Sequence, residues 1–481
     1  ILKDGAAATY GSDAIGGVVN FITKKNFTGL EAAVDYRYVD GSDGDYNASL
    51  TWGWAGDHGN VLVSAAYRHR SELRTTDRDF AVQPYLVNPA GYSILGNPGS
   101  FLPRRGTTPV SGVLRDANCA AVGGFAGFSG TTPACYWSFV PFDNLVEEED
   151  RYQIHAEANA RLGETVKLHV EATYAQTNIP RIRFSPGFPP TSGPNGPGSV
   201  GVFTVPRINP GFATALQQAG ASATAQSLAD NASLTLWRPL ANGGNPATDG
   251  GGQIGSRRFD IFRVSAGLSG KFENDWGWDV TGTYSRESSH QVTTDMLIDR
   301  VQRGLNGLGG ANCTGATPGA NGCQFFNPFS NAYAGNPALG LSNPGFVSAN
   351  QNDPALVRWL FDSQINDAVT DNYIFDAVLN GKLAFSLPGG EIGWAAGAQY
   401  RKVLFNSKPG SPFQDPRITP CPVVGDTSCA FRTGPFIFLG QVEPADLEAS
   451  VWSVFGELSL PITDRINAQL AIRHEDYGGE T

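Results

Sequence analysis

From Thr28 onward, apolar and polar positions alternate with a period of two, the pattern of strands whose two faces meet different surroundings. In 28–39, Leu30, Ala32, Val34, Tyr36 and Tyr38 share one face, and Glu31, Asp35 and Arg37 the other. Residues 45–55 repeat this, with Tyr46, Ala48, Leu50, Trp52 and Trp54 opposite Asp45, Asn47, Ser49 and Thr51. A weaker case follows at 60–70. The alternation resumes at 151–162 and 165–175, and further strands are predicted at 259–269, 276–288, 372–385, 392–405, 450–460 and 465–475, eleven in all. After the first hairpin their connections alternate in length. Tight turns (AGDHG, GET, GKFEND, SLPGGE, PITDR) are separated by long loops at 71–150, 177–258, 289–371 and 406–449, each far beyond the roughly 12 to 15 residues usual for a loop in a compact domain. An up-and-down meander places every long loop at one end.

Charged residues keep mainly to one face, and Trp and Tyr fall toward the ends of the other. A midplane Arg or Lys on the lipid side of a membrane barrel costs about 2 to 4 kcal/mol, and aromatic girdles mark both interfaces of such barrels. Strands of roughly 9 to 11 residues suit the bilayer. The predicted fold is therefore all-β, an antiparallel up-and-down transmembrane β-barrel of outer-membrane type, with tight turns on the periplasmic side and long loops outside. A soluble sandwich or propeller with one buried face is the competing architecture.

Composition agrees. Only 16% of residues are charged, against about 25% in soluble proteins, and no apolar run approaches the roughly 18 residues of a spanning helix. The net charge of −11 provides no basic excess for nucleic acid. The six cysteines fall as three local pairs, Cys119/Cys135, Cys313/Cys323 and Cys421/Cys429. Proximity in sequence favours pairing within each loop, which fits an oxidising compartment, while the close spacing of a metal site is missing.

The first 25 residues, ILKDGAAATYGSDAIGGVVNFITKK, break the alternation. They read as a small-residue turn, a glycine hinge and a short buried strand. This stretch resembles the end of the plug domain of TonB-dependent outer-membrane receptors, matching at Leu2, Lys3, Tyr10, Gly11, Ser12, Ala14, Ile15, Gly16, Gly17, Val18, Val19, Asn20, Ile22 and Thr23. The resemblance implies a plug segment over 1–25 and, over 26–481, the first half of a barrel of about 22 strands. The signal peptide, the TonB-binding segment and most of the plug are expected upstream, and the rest of the barrel downstream. It also implies a receptor in the bacterial outer membrane, surrounded by lipid and coupled to the TonB complex. Such receptors import a scarce ligand (iron-siderophore, cobalamin, haem or oligosaccharide) by active transport. A passive porin is the alternative, lacking a plug motif before its first strand; a surface adhesin or secreted β-rich hydrolase is a further one.

No catalytic constellation stands out: with six His there is no nucleophile elbow, P-loop or His-Glu-x-x-His. No enzymatic activity and no cofactor are expected. One polar cluster, His155, Glu157, His169 and Glu171, lies on a predicted hairpin in which Leu162 pairs with Val166. That register sets Asn159 opposite His169, Glu157 opposite Glu171 and His155 opposite Thr173. Such groups can bind a transition metal, but a barrel lining packed on a plug is normally full of them, and no metal is expected. Aromatic residues beside the cysteines, Tyr136 and Trp137 after Cys135, and Phe325, Phe326 and Tyr333 after Cys323, are the candidate ligand contacts. A large loop also needs a core of its own, and that is the favoured role for these side chains. If they bind ligand, Trp137→Ala weakens binding without reducing folded receptor.

Overall fold

The computed structural model describes residues 23–24, 26–198, 203–248, 251–273 and 275–478. The plug-motif positions Lys3, Tyr10, Gly11, Ser12, Gly16, Gly17 and Asn20 lie outside them. Eleven long strands form one antiparallel sheet in strict chain order. They are β1 (Gly29–Arg37), β2 (Asp45–Gly56), β3 (Gly59–Arg70), β4 (Glu149–Leu162), β5 (Val166–Phe184), β6 (Gln253–Lys271), β7 (Gly277–Met296), β8 (Phe361–Leu387), β9 (Gly390–Pro409), β10 (Ala445–Thr463) and β11 (Ile466–Asp476). Neither β1 nor β11 closes onto the other, so the sheet is an open segment of a meander. No described helix is long and apolar enough to cross a membrane.

The predicted hairpin register is the observed one: Leu162 pairs with Val166, Asn159 with His169, Glu157 with Glu171 and His155 with Thr173. Several strands run past their predicted ends on the loop side. β5 continues to Phe184, β7 to Met296, and β8 begins at Phe361. The long connections shrink accordingly to 71–148, 185–252, 297–360 and 410–444. The added pieces, such as 289–296, alternate poorly because both of their faces lie beyond the apolar band, so no contrast between faces marks them as strand.

The four long loops fold together into a cap with its own core. Phe101, Phe203, Phe212, Trp237, Met296, Phe326, Phe329 and Ile437, drawn from all four loops and the end of β7, are at most 3% exposed. Short helices add to it, α1 (Pro210–Gln218), α2 (Ala223–Leu228), α3 (Ile298–Leu305) and α4 (Pro354–Leu360). Three of them start on a side-chain cap, with Asn209, Ser222 and Asp353 accepting from free backbone N–H groups, which satisfies donors that the first turn leaves unpaired.

Irregular loops leave many backbone carbonyls without a ladder partner, and buried asparagines supply the missing donors. Asn97 Nδ2 donates to the carbonyls of Pro239 and Pro328, Asn331 Nδ2 to Gly211, and Asn343 Nδ2 to Ser330 and Tyr333. The cysteines pair as Cys119–Cys135, Cys313–Cys323 and Cys421–Cys429. Replacing both Cys119 and Cys135 by Ser releases a closure spanning 16 residues and is expected to cost about 3 kcal/mol in the chain-entropy account. Limited proteolysis checks this: cleavage should rise within 71–148 and not in the sheet.

Candidate membrane face and ligand cleft

The sheet's apolar face is uncovered. Val34 is 81% exposed, Ile472 76% and Phe375 51%, and Leu50, Trp52, Trp54, Ile154, Leu379 and Leu458 are exposed with them. An unpartnered apolar area of this extent marks a face built to meet another apolar phase. Two aromatic rows bound it. On the loop side, Tyr46, Tyr67 and Tyr152 follow one another across β2–β4, with ring centroids 6.0 and 4.9 Å apart, and Tyr284 and Tyr373 meet at 5.1 Å across β7 and β8. On the turn side stand Trp52 and Trp54, Phe272 against Trp278, and Trp276 edge-on to Trp394 at 4.9 Å. From Tyr46 to Trp54 the strand covers roughly 27 Å at about 3.4 Å per residue, which a tilt near 45° reduces to roughly 19 Å of height.

The loop-side row repeats one motif. Three tyrosine hydroxyls on this side donate to a carboxylate one step nearer the loops, Tyr67 to Asp150 at 2.7 Å, Tyr174 to Asp260 at 2.9 Å and Tyr284 to Asp371 at 2.7 Å. A base braces each carboxylate, His69, Arg258 and Arg286 respectively. Apolar ring below and wetted hydroxyl above is the arrangement that suits tyrosine to an interface. The predicted alternation located these rings, but not the carboxylates that hold them, which sit where the sequence reads only as loop-proximal charge.

The opposite face is polar and hydrogen-bonded. Thr51 meets Ser64 at 2.9 Å, and Ser265 meets Thr283 at 2.8 Å. The described end of the N-terminal stretch runs along this face: Thr23 Oγ1 donates to Glu157 at 2.6 Å, and Asn60 Nδ2 to Asn26 at 2.9 Å. In the His/Glu cluster, His155 Nδ1 lies 2.9 Å from Thr173 Oγ1 and His169 Nδ1 2.8 Å from Asn159 Oδ1, while Arg263 pairs with Glu171. His169 also stands 3.9 Å from Glu157 and 3.8 Å from Glu171, so the cluster meets pairwise through that ring, while His155 is turned to Thr173. Among the described residues, the one group of three metal-ligating side chains that converges is Cys421, Asp426 and Cys429, whose two thiols are consumed by their disulfide.

The candidate ligand aromatics separate by burial. Trp137 and Phe326 are fully buried, the position of rings in a loop core. The indole N–H of Trp137 donates to the Leu95 carbonyl at 2.8 Å, and the Arg238 guanidinium stands 4.6 Å from its ring. Arg238 is itself 5% exposed, its guanidinium held by the carbonyls of Leu95 and Gly187 and by Ser93 Oγ, and burial pulls its pKa down to about 9. Phe325 is half-buried and roofs Gly307, where a Cβ would lie 2.4 Å from its ring. Tyr136 packs tilted against Tyr85 at 5.0 Å and donates to the Phe128 carbonyl.

Tyr333 lines a cleft of about 400 Å³ between the second and third long loops, with Asn97 of the first loop also in its wall. Its ring lies flat on Gly243, where a Cβ would come within 2.5 Å. Beneath it, Asp116 ties the first loop to the third by accepting from the Ser330 N–H at 2.6 Å and its hydroxyl at 2.9 Å. Burial raises the Asp116 carboxyl to about 6 in spite of these donors. An acid whose folded pKa exceeds its unfolded value holds its proton more tightly when folded, so its contribution is complete below about pH 4 and is lost as pH rises through about 6. The cap is therefore expected to resist denaturant better at pH 5 than at pH 7.5, and Asp116→Asn should shrink that difference. An unchanged difference would assign the pH dependence to other groups.

No protein-family model matches this sequence, and no curated protein does. Solved structures do align with it at low identity. A variant of the ferric enterobactin receptor PfeA from Pseudomonas aeruginosa aligns over 98% of this chain and 43% of its own at 12% identity, with a TM-score of 0.42. The ferripyoverdine receptor of the outer membrane of the same organism aligns over 94% and 38%, at 11% identity and a TM-score of 0.40. The siderophore receptor PirA from Acinetobacter baumannii aligns over 98% and 42%, at 13% identity and 0.42. Each aligned region is part of a receptor, and this chain spans less than half the length of each.

Proposed function

We propose that the chain is a segment of a TonB-dependent outer-membrane receptor. Its apolar face meets lipid, its cap captures a scarce ligand from outside, and its polar face encloses a plug whose last residues are 1–25. Import follows when an inner-membrane complex remodels that plug. The observation that carries this reading is the uncovered apolar band between two aromatic rows, which a soluble protein would bury. The bonds from Thr23 and Asn26 to Glu157 and Asn60 favour a plug running along the polar face over an open passive channel. Ion pairs and hydrogen bonds on that face serve as a wall, and no catalytic role is assigned to them.

Cells carrying the full gene test this. The protein should fractionate with the outer membrane, and uptake of its ligand, screened among ferric siderophores, cobalamin, haem and labelled oligosaccharides, should stop when an uncoupler collapses the proton-motive force while surface binding persists. Uptake indifferent to the uncoupler would mean a passive porin. Recovery in a soluble fraction would refute the barrel.

A further inference from the structure

We propose that the cleft between the second and third long loops binds a neutral, hydroxyl-rich ligand, a carbohydrate, and not an anionic metal chelate. This deepens the receptor reading and rests on it for the ligand's fate after capture.

The chemistry of the lining selects the ligand. None of the cleft's lining residues carries a charge: its polar side chains are those of Asn97, Asn327, Tyr333, Asn336, Gln351 and Asn352, and the rest are Gly, Pro, Ala and Leu. An anion entering such a cleft would shed water with no cation to replace it, a cost of several kcal/mol for an ion taken from water. Electrostatics add to this, since Asp116 acts on Tyr333 as a neighbouring carboxyl. A purely apolar ligand fares poorly as well, because it would strip water from amides and leave them unpaired.

A carboxamide offers an acceptor and two donors side by side, and adjacent sugar hydroxyls, each donor and acceptor at once, answer that pattern. Capacity for such bonds is left over here. Asn97 is 4% exposed, and its Oδ1 and the Tyr333 hydroxyl, both closed off from solvent behind the cleft wall, have no partner among the described residues. Gln351 stands exposed at the cleft.

The lining is also held in place before any ligand arrives. Asn352 is bonded to the Asn327 backbone in both directions, at 2.7 and 2.9 Å. Asn336 Nδ2 donates to the Val122 carbonyl at 3.0 Å while its Oδ1 accepts from the Ala338 N–H at 3.1 Å. Tyr333 is pinned on Gly243, and the disulfide Cys313–Cys323 closes the loop just before it. A preorganised lining loses little entropy on binding, and the cleft's volume falls within the roughly 300 to 1,000 Å³ usual for small-molecule sites.

The test uses the full-length receptor purified in detergent and calorimetric titration with neutral oligosaccharides (α- and β-linked glucans, xylan and arabinan fragments), with a ferric tris-catecholate as the anionic probe. At least one saccharide should bind saturably, with affinity shifting less than about twofold between roughly 50 and 500 mM salt, since no charge pair is being screened. Gln351→Ala should weaken it about tenfold, the scale of about 1.4 kcal/mol. Ala334→Trp, at an exposed lining position, should abolish it by filling the cleft. Both variants should keep the parent's thermal unfolding.

The proposal is overturned if no saccharide binds, if neither variant alters affinity, or if the tris-catecholate binds and Ala334→Trp removes that binding. Titration of purified protein needs no energy coupling. Saccharide binding that persists in a receptor whose uptake ignores the uncoupler would therefore retire the transport reading and leave this site standing.

Discussion

Trp137→Ala is expected to cost about 3 to 5 kcal/mol and to loosen the cap without dissolving the sheet. The indole is fully buried and donates to the Leu95 carbonyl. The Arg238 guanidinium and the rings of Phe139 and Phe142 pack around it, the rings at 6.5 and 6.0 Å. Truncation removes those contacts at once and leaves a buried cation with one face uncovered, a costly state because Arg238 has only neutral partners. Trp137→Phe should cost less, since it keeps most of the apolar volume and loses one hydrogen bond. Pulse proteolysis reads the difference: the alanine variant should be cut within the first and second loops under conditions where the parent resists, and ligand binding should fall in parallel. A variant that resisted protease like the parent yet bound ligand poorly would return Trp137 to the binding surface.

A paired substitution on neighbouring residues of β2 should separate the two faces of the sheet. Leu50→Arg places a charge in the middle of the exposed apolar band and is expected to cost about 2 to 4 kcal/mol in a bilayer. Ser49→Arg, one residue away on the polar face, should cost far less, because the guanidinium there meets water or polar protein. Folding of the full-length barrel into lipid vesicles across a urea series measures both. In the proposed setting Leu50→Arg shifts the midpoint down and Ser49→Arg leaves it within error. Equal shifts would mean that the two faces see the same medium.

Where a strand crosses between unlike phases, its sequence declares it. In 151–162 the alternation is unbroken, and the hairpin through GET could be registered residue by residue, down to Asn159 opposite His169. The same physics explains what stayed hidden. Beyond Ala175 or Ser288 apolar residues no longer keep to one face, with Ile179, Ile182 and Phe184 set among Asn178, Arg181 and Arg183, so the contrast blurs and the extensions of β5 and β7 read as loop. The cap was less legible still. Its core joins Phe101, Trp237, Phe329 and Ile437 from distant parts of the chain, and no local period announces such a meeting. The aromatic clusters beside Cys135 and Cys323 did signal importance, but their composition alone does not separate a core ring such as Phe326 from a cleft-lining one such as Tyr333. The asparagines that stitch the loops together carried one detectable signal, their density through 306–352, which composition scanning for charge and aromatics passes over. Arg238 gave none, because a guanidinium held by backbone carbonyls looks in sequence like any surface cation.

The central claim is that the sheet's apolar face is a membrane face, and nitroxide scanning along β2 tests it most directly. Single cysteines at 46 to 54, introduced beside the six native ones already joined in disulfides, are spin-labelled in the full-length protein in vesicles, and collision with oxygen is compared with that of a water-soluble nickel reagent. The account predicts a period of two: labels at Ala48, Leu50 and Trp52 meet oxygen and not nickel, and labels at Asn47, Ser49 and Thr51 do not meet lipid-borne oxygen. Accessibility without that alternation, or nickel reaching position 50 as readily as 49, would contradict it.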